Sequence, residues 1–124
     1  MPNHTFVDED GIIQQFMEGD QDTETVGELI DDTLKQTDEL KLKNPSSKLL
    51  FLVDMSGIGK HTLASRQAGF TAMKKFPFDK IAIYTTNRVI KHITALFIMA
   101  SGHGSDVKQF SDKSKAKEWL LQKS

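Results

Sequence analysis

Between residues 48 and 62 the chain reads KLLFLVDMSGIGKHT, which sets a carboxylate (Asp54), two hydroxyls (Ser56, Thr62), an amine (Lys60) and an imidazole (His61) close together. Three chemistries use such groups, and the spacing fails each of them. A phosphate-binding loop of the Walker type needs a glycine five positions before Gly59, where Asp54 stands, and a hydroxyl residue directly after the lysine, where His61 stands. A dinucleotide fingerprint needs glycine or alanine at position 62, which is threonine. A nucleophile triad of Ser56, His61 and Asp54 lacks the strained elbow that presents such a serine. His4, His61, His92 and His103 share no metal-ligand spacing, and cysteine is absent, so the sequence points to no metal, no cofactor and no enzyme.

A weaker chemistry survives at the same place. Residues 49–53 form an apolar run of strand type that stops at Asp54, and a helical pattern begins near Thr62. If Ser56, Gly57, Ile58 and Gly59 form a loop, its unpaired N–H groups, the positive end of the helix and Lys60 could hold an anion or a partner. The plainer alternative is a tight strand-to-helix turn with Lys60 in water. Asp54 likewise reads as a ligand-binding group, or as an acceptor for the loop's own backbone. Asn87 and Arg88 open the next helix at the same sheet edge and complete the candidate set.

These groups must be positioned by the rest of the chain. Asp10-Gly11, between residues 5–8 and 12–17, signals a hairpin. Residues 24–42 read as a helix capped by Thr25 with Glu28, with Val26, Leu29, Ile30, Leu34 and Leu40 on its apolar side. Asn44-Pro45 ends it. Residues 62–75 form a second helix whose Ala64, Ala68 and Ala72 would let it lie close to the sheet, and residues 80–86 form the next strand. Asn87 caps a third helix with a broad apolar stripe, stopped at Gly102. Residues 107–110 are a last strand, and Asp112 caps a final helix carrying Ala116, Trp119 and Leu120 on one face. The order ββαβαβαβα gives an α/β fold with a mixed five-stranded sheet, antiparallel at the start and parallel afterwards.

At 124 residues, with no linker or repeat, the chain is expected to be a single domain spanning 1–124. Sixteen basic against 17 acidic residues give no electrostatic reason for a nucleic-acid or membrane-surface partner. No apolar stretch is long enough to span a bilayer and no secretory signal is read at the N-terminus, so the expected location is cytoplasmic. The acidic region 8–39 and the lysine-rich region 108–123 leave homodimerisation open.

The hairpin, the capped helix, LLFLVDMSGIG, KIAIYTTNRVIKHITALF and the closing F-x-D-x-x-x-A-x-x-W-L at residues 110–120 together resemble the SpoIIAA-like proteins. These belong to the STAS-like group, named for sulfate transporters and anti-sigma factor antagonists. The resemblance implies helices packed mainly on one face of the sheet, and a regulatory or ligand-binding role without catalysis. It implies a protein partner or small anionic ligand at Asp54, Ser56, Gly57, Ile58, Gly59, Lys60, His61 and Thr62, helped by Asn87 and Arg88. Anti-sigma factor antagonists are phosphorylated by a partner kinase near the start of the helix after the central strand. Here the D-S-S-G type sequence is replaced by Asp54-Met55-Ser56-Gly57, and Thr62 and Ser65 lie nearest that helix start without matching flanks. Some relatives resemble lipid-transfer domains, which implies the alternative of a carrier for a small apolar ligand between sheet and helices.

Overall fold

The computed structural model describes residues 3–75, 77–101 and 105–122. Strands β1 (His4–Val7), β2 (Ile13–Gln21), β3 (Leu50–His61), β4 (Lys80–Tyr84) and β5 (Val107–Phe110) lie in one sheet in that spatial order. β1 and β2 are antiparallel, and every later pair is parallel. The helices are α1 (Thr23–Lys43), α2 (Leu63–Lys75), α3 (Arg88–Ser101) and α4 (Lys113–Leu121). The apolar run ahead of Asp54 therefore occupies the central strand, paired with β2 on one side and β4 on the other.

Strand alternation divides the core in two. Ile13, Phe51, Val53, Ile81 and Ile83 face α1, α2 and α3, where Val26, Leu29 and Ala72 are buried among them. Leu50, Leu52 and Ala82 face the other way and pack with Ile12 under Ala116 and Leu120 of α4. Three helices on one face and one on the other match the expected arrangement.

Local sequence explains most element ends. At the hairpin, Gly11 takes φ +80°, a left-handed conformation natural to glycine. The Asp8 carboxylate accepts from the Asp10 and Ile12 N–H groups and from Gln14 Nε2, which fixes the turn. Asn87 Oδ1 accepts from the N–H groups of Val89 and Ile90, and Asp112 Oδ1 from those of Ser114 and Lys115. The stop at Gly102 and the side chain of His103 lie outside the described residues.

Three expectations are corrected. The cap of α1 is Asp22, whose carboxylate accepts from the Thr25 N–H at 2.8 Å and the Thr25 hydroxyl at 2.8 Å, so Thr25 serves a cap one turn earlier. The buried stripe of α1 runs through Val26, Leu29, Thr33 and Thr37, while Leu34 is exposed. Thr33 is tolerated inside because its hydroxyl bonds Thr5, Gln15 and the Leu29 carbonyl.

The third correction concerns the glycine-bearing segment. Gly57, Ile58 and Gly59 are strand, not loop: β2 runs on to Gln21, and Glu18, Gly19 and Gln21 pair with Gly57, Ile58 and His61. A Cβ on Gly59 would lie 2.5 Å from Asp20 Oδ1 and 3.1 Å from the Gly19 carbonyl carbon. Glycine is needed there for close strand approach rather than for a turn. β3 thereby overhangs β4, whose last paired residue, Tyr84, stands opposite Asp54.

Candidate functional site

Asp54 ends the doubly paired part of β3, and its side chain turns toward α4. Oδ2 accepts from Lys113 Nζ at 2.8 Å, and Oδ1 accepts from the Ser56 N–H and hydroxyl at 2.9 and 2.6 Å. The residue is 2% exposed. Burial alone would raise its pKa, but the hydrogen bonds from Lys113 and Ser56 and the lysine charge outweigh it and hold the carboxyl below its ordinary value. Both oxygens are therefore engaged inside the chain. Lys113 also stands over the Phe16 ring, 5.0 Å from its centroid.

Beyond Asp54 the expected anion-binding loop is replaced by a ladder. The Lys60 N–H donates to Asp20 Oδ1 at 2.8 Å, so a nest of free N–H groups does not form around it. Thr62 and Ser65 close the start of α2 reciprocally. The Ser65 N–H donates to the Thr62 hydroxyl, and the Thr62 N–H to the Ser65 hydroxyl. Ser65, 2% exposed, also donates to the Thr62 carbonyl. Asn87 caps α3, and Arg88 beside it is exposed. The fold thus separates the expected residues: Asp54 is tied to α4, Lys60 and Arg88 point to solvent, and Ile58 and His61 line a cavity on the opposite face of the sheet.

That cavity lies between the sheet and the three helices of the larger core. Met17, Phe51, Val53 and Ile81 form its floor, with Val26 and Leu29 of α1 on one wall. Gly69, Phe70 and Met73 of α2 and Ile90 and Ile93 of α3 close the rest. The space open to the centre of a water-sized sphere is about 90 Å³, and the empty space between the lining atoms, mouth included, about 850 Å³. Stacked rings of Phe70 and Phe97, 4.0 Å between centroids, join α2 to α3.

One lining residue carries a permanent charge. Arg66, Gly69, Phe70 and Met73 recur at the i, i+3, i+4, i+7 spacing of one helix face, and all four line the cavity. The Arg66 Nε is buried without a hydrogen-bond partner among the described residues. Among the described residues no carboxylate lines the cavity with it. The cavity was not written in any motif. The signal that could have found it is a guanidinium at a core-facing helical position, next to a glycine that leaves volume. Among the described residues no group of three or more His, Asp or Glu is placed to hold a metal ion. No described helix is long and apolar enough to cross a membrane.

The sheet order and the placement of the helices agree with comparisons to known proteins. An uncharacterised protein of the DUF3478 family from Shewanella loihica PV-4, described as having a SpoIIAA-like fold, superposes with a TM-score of 0.61 at 16% identity, over 96% of this chain and 92% of that one. Among curated protein sequences no match is found. The SpoIIAA-like family model matches residues 12–121, from the return of the hairpin to the end of α4. The chain belongs to the SpoIIAA-like family.

Proposed function

We propose that this protein is a non-enzymatic binder and carrier of a small apolar molecule, held between the sheet and α1, α2 and α3. The observation that carries this reading is the cavity itself, walled by aliphatic, aromatic and thioether side chains within the larger core. A ligand there would take the apolar walls out of contact with water. The candidate segment after Asp54 takes part through Ile58 and His61, whereas docking of a partner on Lys60 and Arg88 has no comparable built feature behind it.

An uncharged dye that fluoresces in apolar surroundings, N-phenylnaphthylamine, tests the reading together with Gly69→Leu. Gly69 lines the cavity, and its nearest neighbour to an added Cβ is Val26 Cγ1 at 4.0 Å, so leucine has room to enter the void. Removing glycine from a helix interior contributes about 1 kcal/mol, which corresponds to roughly 4 °C in Tm. The native chain is expected to bind the dye saturably, and Gly69→Leu to melt higher and lose that binding. A native chain that leaves the dye dark, or a variant that binds it equally well, would remove the cavity from the function.

A further inference from the structure

Resting on the carrier reading, we infer that the ligand is a carboxylate amphiphile: an acyl-type chain among the apolar walls, with its head group against Arg66.

The placement of Arg66 argues for this. The Thr62–Ser65 cap fixes the first turn of α2, and the Arg66 N–H bonds the Thr62 carbonyl, so the residue sits one turn into a held helix. Its face of the helix is the face that carries Gly69, Phe70 and Met73, so it lines the cavity with its Nε buried while the side chain as a whole stays partly exposed. A guanidinium keeps its charge at any physiological pH and offers parallel donors. With Nε buried and unbonded, one of those donors is stripped of water and left without an acceptor. Such a group is costly in an apolar setting unless an anion joins it.

The charge inventory narrows the anion. Among the described residues no aspartate or glutamate lines the cavity; of the polar lining residues, Gln15, Gln21 and Ser65 already bond Thr33, Asn3 and Thr62, and His61 and Thr94 complete the set. The fixed positive charge inside is that of Arg66. A singly charged head with two equivalent oxygens neutralises it and can accept from Nε and a neighbouring Nη side by side. A carboxylate fits that description. A doubly charged phosphate monoester would leave a net charge among the apolar walls, which is unfavourable.

Competition against the bound dye tests the head group with two ligands of equal chain, dodecanoate and dodecanol. Native protein is expected to bind dodecanoate at least about tenfold more tightly, the worth of one hydrogen bond to a charged group. Arg66→Met should bind dodecanol as before and lose the preference, with a Tm no lower than native because an unpaired cation has been removed. If native protein binds both ligands equally, the head-group assignment is overturned while the carrier reading stands. A preference that persists in Arg66→Met likewise overturns it, since the carboxylate would then be read elsewhere. Failure of dye and both ligands to bind native protein overturns the carrier reading and this one together. The native comparison decides even if the variant does not fold.

Discussion

Lys113→Met is expected to destabilise the protein by about 2–3 kcal/mol, although it removes a side chain that is 35% exposed. The cost arises at the other partner. Asp54 is 2% exposed in the central strand, and without the ammonium its carboxylate keeps its bonds from Ser56 but loses its counter-charge. Removing one partner of a fully buried pair costs about 3–5 kcal/mol, and the partial exposure of Lys113 argues for a value at or below the lower end. The pH dependence has a definite sign. The folded Asp54 pKa lies below the ordinary 3.8, so its contribution is complete above the unfolded value and is lost as pH falls below about 4 through the folded one. In Lys113→Met the depression shrinks, and acid unfolding should begin at higher pH. Urea denaturation of both proteins at pH 7 and pH 4 measures this. Equal stability at pH 7 would show that the pair contributes nothing net.

Gly59→Ala is expected to cost about 2 kcal/mol, while Gly57→Ala changes stability by less than about 1 kcal/mol. At Gly59 the added carbon meets Asp20 Oδ1, which can swing away, and also backbone of Gly19 and Asp20 at 3.1 and 3.3 Å, which cannot move without parting β2 from β3. At Gly57 the nearest atom is Glu18 Cγ at 3.3 Å, on a flexible exposed side chain, and alanine recovers some backbone entropy. The same change should also weaken dye binding at position 59, because Ile58 and His61 reach the cavity from the displaced stretch. Paired urea melts of the two variants decide it. Equal losses would mean that close strand approach is not what the glycines serve.

The fold was legible where one residue type answers one local demand. Asp10-Gly11 announces the hairpin, Asn87 and Asp112 announce helix starts, and the unbroken apolar run before Asp54 announces a strand covered on both faces. What stayed hidden depends on distant partners. Nothing around Gly57 favours a strand, and it becomes one because Glu18 and Gly19 arrive alongside. Thr33 reads as surface until Thr5 and Gln15 supply its partners. Asp54 could be placed at the end of the apolar run, but β3 continues past it to His61, and its ion pair with Lys113 spans 59 positions. The cavity is harder still, because a void is a property of how volumes fail to meet. Ala68 and Ala72 were visible as small residues, and whether they admit the sheet or leave room is settled by the rest of α2 and α3.

Ile12 lies at the return of the hairpin, yet its apolar neighbours include Ala116 and Leu120 of α4, and Lys117 pairs with Asp8 and Asp10 at that same turn. An early turn of the sheet is thus roofed by a helix that leaves the ribosome much later. Until α4 emerges, one side of the nascent sheet stays bare to water, and the contacts that shield it must close almost the whole length of the chain. Such closure slows folding and lengthens the interval in which greasy strands can meet other molecules. A polypeptide cut short before α4 would therefore aggregate rather than persist as a smaller working unit.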